Sequence, residues 1–296
     1  MNAVIVIDKP AGITSAEVVR RIKRSVKPDR VGHLGTLDPF ATGVLPILIG
    51  EATKLAPFLE GGDKRYAGLI KLGVETDTLD PDGSVVRTAP VPPLNPQCLA
   101  GIEQQFSGTH SQVPPVFSAI KRAGVPLYRL ARKGGDVRPP QPREIEVKHL
   151  KLEAASHDTL RFELGCSAGT YVRSLSRDIG VALQSAAHLA ELRRLESGGF
   201  SLHAAVPLER VLAAIDTQDL ASIQLIAPAE ALGHLPQLVV DKTQERRLRN
   251  GDSSALDALA PAGAEIFRVV HSGGDLIAIA RATSGVTAVI ERIFNP

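Results

Sequence analysis

The stretch GHLGTLDPFATGVLP, residues 32–46, sets one carboxylate, Asp38, among three glycines, a histidine and two prolines. An acid in an Asp-Pro step is either a turn former or a working group, and the residues alone leave both readings open. Gly32, Gly35 and Gly43 let backbone come close to a ligand or adopt positive φ. A carboxylate in such a place can act as nucleophile, general base or charge stabiliser, provided a cation keeps it ionised and aimed. The matching cation lies in GCSAGTYVRSLSRDIG, residues 165–180. There Arg173 falls in the first turn of an expected helix, against the helix dipole, which favours acids at that end. The three tyrosines all neighbour cations: Tyr66 follows Lys64-Arg65, Tyr128 precedes Arg129, and Tyr171 stands two residues before Arg173. Aromatic plus cation is how proteins stack and clamp unpaired bases, although a core ring beside a surface cation reads the same way.

Other chemistries lack their residues. The chain has no GxGxxG after a strand, no GxxxxGK[ST], no HxxxH or HExxH and no CxxC. A reaction without cofactor or metal is the expectation. The two cysteines, Cys98 and Cys166, read as reduced, packed thiols. The 296 residues are 44 % hydrophobic and 22 % charged, which fits a soluble globular chain of about two domains. The net charge of +2 announces no uniformly basic surface. Residues 110–150 nevertheless carry a local charge of +5, with clustered prolines. The N-terminal MNAVIVIDKP has no basic region ahead of a short apolar run, which predicts a cytosolic protein without a membrane span.

The elements that must position these residues are partly visible. Val4–Ile7 reads as a strand closed by the turn Asp8–Gly12. Thr14 and Glu17 have capping-box spacing, and Val18, Ile22 and Val26 form the apolar face of a helix whose basic residues face solvent or phosphate. Arg65–Leu72 reads as a strand, Asp80–Gly83 as a hairpin turn, and Leu99–Phe106 as a short helix. Glu144–Glu153 and Leu160–Leu164 alternate as strands, while Tyr171–Gln184 and His188–Glu196 look helical. Residues 204–235 read as a helical connector. Beyond it, Gln237–Val240, a basic helix Lys242–Arg249 and three further strand-like runs make a small β-rich module.

Taken together, DKPAGITS at 8–15, GHLGTLDPFATGVLPILIGEATK at 32–54, KRYAGLIKLGVETDTLDPDG at 64–83, PPVFSAIKRAGVPLYRLARKG at 114–134, CSAGTYVRSLSRDIG at 166–180 and HLAELRRLESGGF at 188–200 resemble the TruB family of tRNA pseudouridine synthases. The order of the motifs is the family's across the first 200 residues. The resemblance implies an α+β fold: a catalytic domain over 1–235 with a central mixed, mainly antiparallel sheet flanked by helices, and a PUA-like β-barrel over 236–296. It implies isomerisation of uridine 55 in the T arm of tRNA, by N1–C1′ cleavage, base rotation and C5–C1′ bond formation, without cofactor or metal. Asp38 matches the catalytic aspartate, Tyr66 the tyrosine that stacks on the uracil, and Arg173 the arginine that pairs with the aspartate. His33, Tyr171 and Leu192 match pocket residues. The basic insertion at about 110–143 matches the segment that clasps RNA, so Lys64, Lys121, Arg122, Arg129, Arg132 and Lys133 are expected at the RNA. A cytoplasmic monomer with tRNA as partner, and no obligate protein partner, is implied.

Flipping the target base out costs a few kcal/mol, and the glycines and His33 of the Asp38 loop are suited to that task. A tRNA-binding or tRNA-folding protein with incidental catalysis is the alternative reading. A hydrolytic N-glycosidase, which would release free uracil, is a third.

Overall fold

The runs AVIVIDK and TGVLPILI are largely apolar, and all but one residue of each is buried, because both faces of these strands are covered. In a computed structural model, which describes residues 1–26, 30–132, 138–257, 259–283 and 287–295, Ile5, Ile7, Leu45, Ile47 and Ile49 face one core. Val4, Val6, Val44 and Leu48 face a second. The first core holds the helices Ser15–Val26, Pro96–Gln105, Val172–Ala182 and Leu208–Asp216 against the sheet.

Along its main path the sheet runs Val206–Pro207, Ala3–Lys9, Thr42–Ile49, Ala187–Ser197, Lys64–Leu72, Thr159–Cys166, Arg143–Ala154, Gly108–Gln112. Two junctions are parallel, Val206–Pro207 with Ala3–Lys9 and Ala187–Ser197 with Thr42–Ile49; the others along this path are antiparallel. The expected mixed, mainly antiparallel sheet with helices is therefore present.

Two expectations need correction. Residues 188–196 are not helical but belong to the central strand Ala187–Ser197. Irregularities between Leu189 and Glu191 and between Arg194 and Glu196 shift the strand's phase. Its buried positions 187, 189, 192, 194 and 197 are thus spaced by two and three residues, which imitates a helical period. In the tail, Gln237–Val240, Ile266–His271, Leu276–Ala282 and Ala288–Ile293 form an open four-stranded sheet. Among the described residues no pairing joins its first and last strands, so the expected closed barrel is not formed. The helix Lys242–Arg249 and the turn Ser253–Leu256 cover one face with Leu248, Ala255 and Leu256.

The tail also completes the second core. Val270, Leu276, Ile279 and Phe294 pack with Val4, Val6, Val44, Leu48 and Leu55. Lys54 Nζ donates to the Ile293 carbonyl at 2.8 Å, and the Asn295 amide donates to Glu51 Oε2 at 3.0 Å. Truncation after Leu235 strips cover from the first two long strands. The truncated chain is expected to melt at lower temperature and to bind a hydrophobic dye in its native baseline. An unchanged melt without dye binding would show that the shared core contributes nothing.

Candidate active site

Two sequence motifs are bolted together to place Asp38. Ser15, buried at the start of its helix, accepts from the Leu37 amide at 2.9 Å and donates to the Leu37 carbonyl at 3.1 Å. The Gly12 amide donates to the Pro39 carbonyl at 2.8 Å. Lys9 Nζ donates to the carbonyls of Pro10 (2.8 Å) and Pro39 (3.2 Å). DKPAGITS thus grips the backbone on both sides of the acid. Behind it, Ala41 donates its amide to the Asp38 carbonyl at 3.1 Å, closing the turn. Gly43 has φ +101°, and a Cβ there would meet the Arg194 carbonyl at 2.2 Å, so only glycine fits between these strands.

Arg173 arrives from the other side. Its guanidinium holds Asp38 at two points, by a hydrogen bond from Nη2 to Oδ1 at 3.2 Å and an ion-pair contact of Nε with Oδ2 at 2.9 Å. The remaining donors reach the Phe117 carbonyl (2.9 Å), the Thr78 carbonyl (2.8 Å) and Asp80 Oδ2 (3.4 Å). Arg173 is buried, whereas the Asp38 side chain keeps 33 % of its surface accessible, so part of the acid stays open to solvent. Burial raises the Asp38 pKa above the usual carboxylate value. The Arg173 charge opposes that shift, Asp80 adds to it, and Lys9 lowers it. Thr78 Oγ1 donates to Asp80 Oδ1 at 2.5 Å, and the Asp82 amide to the same oxygen at 3.2 Å. One guanidinium therefore serves two carboxylates, one exposed and one held by its own turn. Lys9 is fully buried, and desolvation brings its pKa down to about 8.

The other sequence-predicted pocket residues lie on the strands and the helix that carry this pair or adjoin it. Tyr66 is buried, senses the Asp38 charge, and has its phenol pushed up to about 12, chiefly by burial. Leu192 is buried on the neighbouring strand, directly opposite Gly68. Tyr171 caps the Arg173 helix without a side-chain cap bond. Its amide donates to Gln112 Oε1 at 2.8 Å, and its carbonyl accepts from Gln112 Nε2 at 3.1 Å. The Arg143 guanidinium lies 4.7 Å from the Tyr171 ring centroid. His33 is half-buried with Nδ1 unpartnered, and burial lowers its pKa, so its ring is neutral near pH 7.

Lys64 is half-buried, with its pKa lowered by burial. Lys121 and Arg122 are exposed on a two-residue strand, and Arg122 donates to the Arg138 carbonyl at 3.1 Å. Exposed Arg129 lies over the Tyr128 ring, 5.9 Å from its centroid. Arg132 closes the short helix Leu127–Arg132, and Lys133 lies outside the described residues. Beside the Arg143–Tyr171 stack, Ile120, Lys121, Arg122, Leu127, Pro140, Gln141 and Arg143 line a recess of about 410 Å³. Among the described residues, no group of three or more His, Cys, Asp or Glu could hold a metal ion.

Residues 23–172 match the model described as TruB family pseudouridylate synthase (N terminal domain). Residues 173–232 match that of the tRNA pseudouridylate synthase B C-terminal domain. A tRNA pseudouridine synthase B of Geobacter sulfurreducens is 46 % identical over 251 residues, covering 85 % of this chain and 82 % of that one. The chain belongs to the TruB family of pseudouridylate synthases. A further TruB relative, the tRNA pseudouridine synthase B of Geotalea uraniireducens, is 44 % identical over 288 residues, 95 % of this chain and 92 % of that one. Among solved structures, a Cbf5-Nop10-Gar1 complex superposes with TM-score 0.74 at 26 % identity, covering 99 % of this chain and 85 % of that one. An H/ACA RNP bound to a substrate RNA containing 2′-deoxyuridine gives 0.73 at 24 % identity, a likeness of fold, covering 99 % and 85 %.

Within this TruB site three buried groups escaped sequence reasoning. Asp80 was absorbed into a turn signal. Lys9 also reads as part of a turn, yet it ends the first strand. Arg194 sits in the run LRR, where strand alternation requires one arginine to point inward; the helical reading of 188–196 hid that signal. Arg173→Lys offers one point charge where a planar fork makes five contacts. The variant is expected to keep its fold and tRNA affinity and to lose at least about 10²-fold in single-turnover rate. A near-wild-type rate would show that the fork is dispensable.

Proposed function

We propose that this chain converts uridine 55 in the T arm of tRNA to pseudouridine, with Asp38 as the acid that acts at the ribose. Membership of the tRNA pseudouridine synthase B family carries the coarser part, uridine to pseudouridine in tRNA. The observation that favours Asp38 is the two-point grip of Arg173 on a carboxylate that remains partly open to solvent. Such a grip keeps the acid ionised and aimed, as either nucleophilic attack on C1′ or proton removal from C2′ requires. Tyr66 and Leu192 are the proposed platform for the uracil, and Tyr171, stacked under Arg143, a wall of the pocket. His33, a neutral ring in the Asp38 loop, is proposed to fill the gap left by the flipped base.

Proposed contacts to the RNA backbone are Lys64, Lys121, Arg122, Arg129, Arg132 and Lys133. Lys121 and Arg122 help to line a recess that also holds Arg143, which stacks on Tyr171, so charge and pocket are contiguous. Residues 1–235 are the proposed catalytic unit and 236–296 an RNA-binding module that also completes the main domain's second core. The Phe117 carbonyl, at the start of the basic insertion, binds Arg173 directly. That bond links RNA capture by the insertion to the carboxylate grip. The proposed setting is the cytoplasm; among the described residues no helix is long and apolar enough to cross a membrane. Absence of an obligate protein partner remains an expectation, since the superposed Cbf5 is seen with Nop10 and Gar1.

Asp38→Asn is expected to abolish pseudouridine formation in a T-arm transcript while tRNA binding stays within a few-fold. Nucleoside analysis of the reacted transcript checks this and separates the alternatives. Free uracil would indicate a glycosidase, and normal turnover by the variant would dismiss Asp38. Alanine at Lys121, Arg122 and Arg129 together is expected to weaken binding and to flatten the slope of log affinity against log salt. An unchanged slope would mean these cations never meet phosphate.

A further inference from the structure

Arg194 heads the largest fully buried side chains, at 1 % exposure. Its strand places it between the two catalytic strands. In one direction it is in register with Gly43, at the end of the Asp38 loop; in the other it is in register with Tyr66. Nε donates to the Val44 carbonyl at 2.7 Å and Nη2 to the Gly35 carbonyl at 2.8 Å. Gly35, at φ +68°, presses on it; a Cβ there would stand 3.1 Å from Nη1. Its cross-strand partner is Tyr66, and the charges of the guanidinium and of a phenolate there attract. The other titratable groups that sense its field, Lys9, His33 and Lys64, are basic, so none of them neutralises it.

A buried cation without a carboxylate is costly, and a neutral amide could tie a loop to a strand without that cost. Among the described residues no carboxylate pairs with Arg194, and a permanent charge so placed suits an anion that exists only during reaction. We propose that Arg194 is a positioning residue for Tyr66, holding the phenol oxygen at the uracil and stabilising the phenolate formed between two proton transfers. This rests on the uridine-isomerising reading. When the N1–C1′ bond breaks, its electron pair stays on N1, and N1 takes the phenol proton. The C5=C6 pair then forms the C5–C1′ bond as Asp38 is released, either by breaking its bond to C1′ or by returning the C2′ proton. The C5–H pair restores C5=C6, and that proton returns to the Tyr66 oxygen. The exchange balances, and no co-reactant is consumed.

The test is single-turnover kinetics at saturating tRNA, on transcripts carrying uridine or 5-deuterouridine. Wild type, Arg194→Gln, Arg194→Lys, Tyr66→Phe and the Arg194→Gln/Tyr66→Phe double variant are compared. Arg194→Gln is expected to slow the reaction by about 10²-fold and to raise the 5-deuterium isotope effect above that of wild type. Arg194→Lys, which keeps the charge, should fall between. Adding Arg194→Gln to Tyr66→Phe should cost little more, because the arginine acts through the phenol. An unchanged isotope effect, or a full additional loss in the double variant, would overturn the proposal. If Arg194→Gln lacks a cooperative melt, Arg194→Lys carries the comparison under the same criteria. A wild type that forms no pseudouridine would defeat the uridine-isomerising reading instead.

Discussion

One guanidinium ties together the residues proposed to carry the chemistry. Arg173 enters at the first turn of its helix, where the dipole disfavours a cation, and is buried there. Taking such an ion out of water costs several kcal/mol unless geometry repays it. The repayment is four hydrogen bonds, to Asp38, Asp80 and the carbonyls of Thr78 and Phe117, and a second ion-pair contact with Asp38. The partners come from three parts of the chain. The loop at 32–46, the hairpin at 74–88 and the start of the basic insertion meet on one side chain. Burial, which alone would neutralise Asp38, is opposed by the charge that burial brought beside it.

The rest of the fold can be understood as support for that contact. Ser15 and Lys9 fix the loop from the first strand and helix, and Arg194 fixes it from the central strand. Gln112 fixes the N-terminus of the Arg173 helix from the far edge of the sheet. The ends of the sheet are thus tied to one site. The tail covers the second face of the strands that carry these residues. Stability of the site and stability of the tail are coupled through that shared core.

Much of this was legible in the residues. Asp38 and Arg173 stood out because each breaks a local rule, an acid among glycines and a cation at a helix start. The strands Ala3–Lys9, Thr42–Ile49 and Lys64–Leu72 followed from β-branched and apolar runs. What was not legible depends on tertiary phase. The bulged strand Ala187–Ser197 imitated a helix, which concealed that Arg194 points inward beside Tyr66. Asp80 looked like a turn residue because it is one; Leu79 beside it takes φ 62°, and the same turn aims the carboxylate at Arg173. Open or closed pairing of the tail strands is a long-range property that their alternation does not encode.

The account turns on whether Arg173 sets the charge state of Asp38. The direct measurement is a carboxyl ¹³C NMR titration of Asp38 in the wild-type protein and in Arg173→Gln. The account predicts an Asp38 carboxylate already ionised at neutral pH in wild type, and a midpoint raised by roughly one to three pH units when the guanidinium is removed. An unchanged midpoint in the folded variant would contradict it, leaving the grip of Arg173 on Asp38 a matter of geometry alone.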